Sequence, residues 1–380
     1  MAANSHALLG PSSAKRWLSC TPSARLTESI EDTESVFAAE GTDAHALCEY
    51  KLRKSVGLPV PDVLPKLEYY SKEMEDYADD YVSFILELYE EAKTKCKDPL
   101  VLVEQYLDLE KYVPESFGTG DALIASDGTL YIIDYKYGKG VSVDAKENPQ
   151  MKLYALGALE IFDCLYDIKE VSMTIYQPRL GNVSNFAMKK DDLYKWANEI
   201  VKPKAVDAFK GIGEFHCGAW CQFCKARATC RERANSNLKL ASKDFADPPL
   251  LTDEEVEEVL GKVDELASWA EEVKAYALDE ALKGKKWNGY KVVEGRSIRK
   301  YSNEPEVAKT VEEAGFDPYE KKLLSITEMQ KRIGKSKFTE LLDRFVVKPQ
   351  GKPTLVQESD KRPEFSTAAA DFKTDNMEEN

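Results

Sequence analysis

The chain has 380 residues, a formal net charge of −15, 43% hydrophobic and 31% charged residues, the composition of a globular protein large enough for a core plus a smaller appendage. No apolar run approaches the roughly 20 residues of a membrane-spanning helix, and the acidic balance argues against a broad basic field for nonspecific nucleic-acid binding. The opening M-A-A-N-S-H-A-L-L-G-P-S-S-A-K-R places its basic residues after a short apolar patch, the wrong order for a secretory signal. A cytoplasmic location is therefore expected, with reduced cysteines available for metal ligation.

In chain order, residues 11–26 read as a capped short helix ending near Cys20 and Pro22. Residues 38–54 read as a helix begun by Thr42 or Asp43, and 66–95 as a long amphipathic helix. The stretches 100–109, 121–126 and 129–136 predict successive strands, a β-meander whose last turn is Asp127-Gly128. A helix over 148–163, a strand over 170–176 and a helix over 190–209 follow. The predicted architecture is α/β, a central mixed sheet flanked by helices.

A domain boundary is expected near 240, where D-F-A-D-P-P-L reads as a linker. Beyond it T-D-E-E-V opens a long acidic helix, with Thr252 as cap and Glu255 completing a capping box. A short strand pair around 289–301, helices near 303–314 and 326–343, and a tail partly disordered after 363 complete a mainly helical C-terminal region over 241–380.

Residues two apart on a strand share a face, so I-I-D-Y-K at 132–136 sets Asp134 beside Lys136 with Tyr135 turned away. Asp121, in F-G-T-G-D, can approach Asp134 across the hairpin. Two converging carboxylates repel unless a divalent cation sits between them, and oxygen ligands of this kind suit Mg²⁺ or Mn²⁺. An exposed hairpin with a surface ion pair is the plainer alternative.

Four of the eight cysteines fall in C-G-A-W-C-Q-F-C-K-A-R-A-T-C. Cys221, Cys224 and Cys230 have the spacing C-x2-C-x5-C, preceded by Cys217, and thiolates this close suit a tetrahedral metal or a cluster. The local set of Cys217, Cys221, Cys224 and Cys230 can hold Zn²⁺ or a cluster unaided. Cys48, Cys96 and Cys164 read as buried small hydrophobes.

G-T-G-D, then I-I-D-Y-K, then a helix carrying Gln150 and Tyr154 resembles the PD-(D/E)XK nuclease superfamily, and within it the RecB-like branch. G-T-D-A-H matches that branch's upstream histidine at His45. The resemblance implies a restriction-endonuclease-like core over 1–240. It also implies metal ligation by His45, Asp121, Asp134 and the Tyr135 carbonyl, catalysis by Lys136, and DNA positioning by Gln150 and Tyr154. Glu104, on the preceding strand, is a weaker candidate for the site's edge.

RecB-like nucleases with an iron-sulfur cluster carry three cysteines after the nuclease motifs and one far upstream. By that resemblance Cys20, Cys221, Cys224 and Cys230 would hold a structural [4Fe-4S] cluster, with zinc as the lesser alternative. The run from 8 to about 235 and the terminal K-P-x-G-K-P-T-L-V-x-E-S-D-K-R-P look like a phage and prophage family of such nucleases. The expected function is a metal-dependent DNA exonuclease of phage recombination or replication, able to work with a single-strand annealing or binding protein. A DNA-binding scaffold or redox sensor with a vestigial site is the alternative.

Overall fold

Three stretches rich in β-branched and aromatic residues pair in sequence order. In the computed structural model, which describes residues 7–30, 36–241, 252–293, 301–319 and 323–347, β1 (Leu100–Asp108), β2 (Phe117–Ala125) and β3 (Gly128–Tyr135) form an antiparallel meander. Gly128 closes the β2–β3 turn at φ +84°, a left-handed conformation that glycine adopts without steric cost. Helix α5 (Pro149–Phe162) then crosses to β4 (Ile168–Gln177), which runs parallel to β3. Strand β5 (Asn182–Lys189) returns antiparallel along β4. The sheet order is β1-β2-β3-β4-β5, a mixed five-stranded sheet in the α/β class.

The sequence reading missed β5. Its alternation places Phe186 and Met188 against the core, but Asn182, Ser184 and Asn185 give the segment the polarity of a loop.

Each face of the sheet has its own apolar layer. Leu123, Leu130, Ile132 and Met173 share one with α5 and Trp17. Ala122, Ile124, Ile133 and Tyr135 share the other with α3 (Val36–Ser55) and α4 (Lys72–Lys95). Fully burying a leucine, isoleucine or methionine among these contributes roughly 1.5–3 kcal/mol, and Gly157 lets α5 lie close, since a Cβ there would stand 2.9 Å from Leu107 Cβ.

Helix starts depart from expectation. Helix α3 begins at Val36 and not at Thr42 or Asp43. Thr42 instead donates back to the Ala38 carbonyl at 3.1 Å, and Asp43 accepts the Tyr69 N–H at 2.7 Å. Helix α4 begins at Lys72 and not at 66, because Ser71 accepts the Met74 N–H and sets the cap there.

The N-terminal stretch forms α1 (Ala14–Ser19) and α2 (Ser23–Leu26), with Cys20 between them. The helix predicted over 190–209 is two, α6 (Lys190–Trp196) and α7 (Lys202–Lys210), joined by a π turn where Pro203 offers no N–H to the preceding turn. Helix α7 holds the N-terminal pair: Lys204 Nζ donates to the Leu18 carbonyl and Arg25 Nε to the Phe209 carbonyl, each at 2.6 Å. Just past α7, the Ile212 carbonyl accepts from Thr21 Oγ1 at 2.7 Å.

After the cysteine run come α8 (Arg231–Ala241), α9 (Asp253–Leu260) and α10 (Val263–Leu282). The Thr252–Glu255 capping box is present, but the single acidic helix predicted there breaks at Gly261. The chain divides into compact units at 1–293 and 294–380, further along than the composition shift near 240. The second unit contains α11 (Glu304–Glu313), α12 (Ile326–Ile333) and α13 (Lys335–Leu342). Gly334, at φ +84°, separates the last two where one helix was predicted. The expected linker, most of the expected strand pair and the tail lie outside the described residues.

Candidate functional site

The β1–β2 ladder has one irregular step. Val103 pairs with Ala122 and Gln105 with Gly120, while Glu104 and Asp121 between them do not pair. Glu104 has φ +52°, a left-handed backbone that costs a non-glycine residue about 1–3 kcal/mol. Regular alternation would turn Glu104 and Asp121 toward α5. Here Val103 and Glu104 both lie on the α3 side, as do Asp121 and Ala122.

Two carboxylates thus face the helix that carries His45. His45 Nδ1 stands 3.5 Å from Asp121 Oδ2, and single ligand atoms of His45, Glu104 and Asp121 lie within 4.8 Å of one another. Burial, reinforced by the charges of Asp121 and Glu49, pushes the Glu104 carboxyl up to about 8 against the pull of Arg53. Burial also raises Asp121, opposed by His45. Facing like charges in a half-buried cleft destabilise the fold, and a divalent cation with hard oxygen and imidazole ligands would relieve that cost. Glu104, the weaker candidate in the sequence, therefore belongs to the tightest ligand group.

Asp121 has a second task. The β2–β3 ladder ends at Ala122 and Ile133, and Asp121 Oδ2 accepts the next N–H, that of Tyr135, at 2.7 Å. The Tyr135 ring is buried on the α3–α4 side, 4.8 Å from Tyr81.

Asp134 does not join the 4.8 Å group. It is 2% exposed, which removes the reading of an exposed hairpin with a surface ion pair. Lys136 Nζ is 3.0 Å from its Oδ2, an oxygen that is buried without a hydrogen bond. Gln150 Nε2 donates to Asp134 Oδ1 at 3.2 Å and to the Tyr154 hydroxyl at 3.1 Å. Burial pulls the Lys136 ammonium down, but Asp134 and Asp121 outweigh it and hold it raised, hence charged at neutral pH.

Helix α5 starts where Asn148 accepts the Gln150 N–H at 3.0 Å and Pro149 fixes the first turn. That start places Gln150 and Tyr154 one turn apart on the same face. The first glycine of G-T-G-D seats Tyr154, because a Cβ on Gly118 would come within 2.8 Å of its ring.

Cys48, Glu49, Leu52 and Tyr81 also line the cleft of His45, Glu104 and Asp121. The first three follow His45 at +3, +4 and +7, so the helical period from His45 identifies them. Gln177 has no comparable signal. Its Nε2 donates to the carbonyls of Gly138 and Val141 at 2.7 and 2.8 Å, fixing the loop that follows Lys136.

Cys20, Cys217, Cys221, Cys224 and Cys230 line one pocket, together with Arg16, Arg227 and Arg233. Both ligand sets are thus present in one place, joined by the α1–α2 contacts to α7. Burial pushes the Cys221 thiol up to about 12 despite the Gly218 N–H at 3.4 Å from its Sγ. Burial likewise raises Cys224, with Arg16 opposing. Among the described residues no three of these sulfurs lie within 4.8 Å of one another. Cys48 and Cys96 are buried as expected, whereas Cys164 is exposed, just past the end of α5.

A solved structure titled "Crystal structure of SSO0001" aligns at 11% sequence identity with a TM-score of 0.24, over 58% of this chain and 96% of that one. The family described as "Protein of unknown function (DUF2800)" matches residues 6–363, nearly the whole chain. The chain belongs to the DUF2800 family.

Proposed function

We propose that this protein is a metal-dependent deoxyribonuclease, acting as an exonuclease in phage recombination or replication, with a [4Fe-4S] cluster as a structural staple. The observation that carries the reading is the Asp121 carboxylate, which stands beside His45 and Glu104, accepts the N–H of Tyr135, and lies within electrostatic reach of Asp134 and Lys136. A plain structural ion pair does not explain the strained backbone of Glu104, which turns a second carboxylate toward Asp121 and His45.

His45, Glu104 and Asp121 would hold Mg²⁺ or Mn²⁺, while Asp134 holds the Lys136 ammonium at 3.0 Å. A cation bound there would supply Lewis acidity, neutralising charge at phosphorus and making water more acidic. Lys136, kept charged and held by Asp134, presents an ammonium that stabilises the negative charge developing on the scissile phosphate. Gln150 fixes the Asp134 carboxylate and Tyr154 by hydrogen bonds, so the lysine is oriented before DNA arrives. Lys136 and Lys139, with the loop ordered by Gln177, provide the local positive charge that an acidic protein needs at a phosphate backbone.

For the cysteines, the cluster is preferred to zinc because the distant Cys20 shares the pocket with Cys221, Cys224 and Cys230, the set that the resemblance to iron-sulfur RecB-like nucleases implies.

The test is incubation of anaerobically purified protein with end-labelled linear, nicked and circular DNA in Mg²⁺, Mn²⁺ or chelator. Linear DNA should be degraded from its ends in metal only and circular DNA spared. No metal-dependent cleavage of any form would sink the proposal. His45→Ala should raise the Mn²⁺ concentration needed for half-maximal activity about tenfold or more, with partial recovery at high Mn²⁺, as loss of one imidazole ligand requires. A metal titration identical to wild type would make His45 a packing residue.

A further inference from the structure

Arg233 is 1% exposed, an unusual place for a side chain so rarely withdrawn from water. Its Nε donates to Glu265 Oε1 at 2.7 Å, and its Nη1 donates to Glu272 and, at 3.2 Å, to the Arg227 carbonyl. Both carboxylates come from α10. The remaining nitrogen, Nη2, is buried with no hydrogen-bond partner. Leaving such a donor unsatisfied costs roughly 1–3 kcal/mol, which a native fold tolerates where a ligand completes the bond.

Arg233 also lines the pocket of the five cysteines. A guanidinium is planar, so pinning Nε and Nη1 on α10 fixes the direction of Nη2 as well. The two carboxylates balance its charge and leave one oriented donor edge over.

We propose that Arg233 is a binding residue of the cysteine pocket, donating from Nη2 to a sulfur of the cluster held there, and that its ion pairs tether α10 to the cluster site. The proposal rests on the cluster reading above. Hydrogen bonds to cluster sulfurs stabilise the reduced form, which carries more negative charge, and so raise the reduction potential. Through Glu265 and Glu272 the same residue couples the packing of α10 to the cluster.

The test uses the full chain, purified anaerobically, with iron and acid-labile sulfide measured first and the cluster then titrated with dithionite and mediators under EPR. Arg233→Met should lower the ratio of reduced to oxidised cluster at a fixed solution potential about tenfold, equivalent to about 59 mV for one electron. Arg233→Lys should restore part of that shift. Glu272→Gln keeps Arg233 but frees its charge, and should move the potential the opposite way, so the idea stays testable if Arg233→Met folds poorly. An unchanged potential in Arg233→Met with iron retained, or in Glu272→Gln, overturns the role of Arg233 and leaves the cluster standing. Wild-type protein without iron and sulfide overturns both.

Discussion

Lys136→Ala is expected to slow metal-dependent DNA hydrolysis about a hundred- to thousandfold, the loss typical when one preorganised donor is removed from a developing negative charge. The structure adds a stability effect, because Asp134 is buried and Lys136 Nζ is its ion-pair partner at 3.0 Å. Lys136 is half-buried, so the destabilisation should fall below the about 3–5 kcal/mol of a fully buried broken pair. Asp134→Asn is the cleaner companion. It keeps an acceptor for Gln150 and removes only the charge, so its thermal midpoint should stay near wild type while activity is lost. Single-turnover rates on linear DNA, read beside thermal unfolding curves, decide the matter; a folded variant of either kind with full activity would remove both residues from the chemistry.

Cys20→Ser should lose iron and stability together. Cys20 is buried between α1 and α2, and its pocket partners lie some 200 residues later. A group bound to both segments therefore closes a very long loop, and a link of that length contributes about 2–4 kcal/mol through the unfolded state. Cys217→Ser should keep the cluster. Iron analysis, absorbance near about 400 nm expected of such clusters as a class, and urea midpoints of the anaerobic proteins give the answer. Iron retained without Cys20 but lost without Cys217 would move the site to the local four-cysteine set. Stoichiometric zinc without iron would reject the cluster.

The parts of this protein that could be read from its sequence are those set by local periodicity. The meander, α5 and the capping box at Thr252 follow from alternation, helical spacing and cap chemistry. Long-range order hid the rest. Strand β5 is polar at half its positions and gains its identity only beside β4. In the candidate site, strand and helix spacing paired Asp134 with Lys136 and Gln150 with Tyr154, while His45 and the set as a whole stood out by resemblance to RecB-like nuclease motifs. Glu104 was underrated because its importance comes from one left-handed residue that reverses the pleat, and no propensity announces that. Arg233 has no local signal, because its burial comes from ion pairs to the distant α10.

The union of the first helices with α7 and the cysteine run also constrains how the protein is made. Cys20 and Cys230 are 210 residues apart, so at about 5–20 residues per second they leave the ribosome roughly 10–40 s apart. For most of that interval the nascent chain carries Trp17, Leu18 and Cys20 with no α7 to cover them and no sulfur partners beside them. The segment of α1 and α2 is thus completed long after it is made, and the pocket can receive an occupant only once translation has passed the cysteine run.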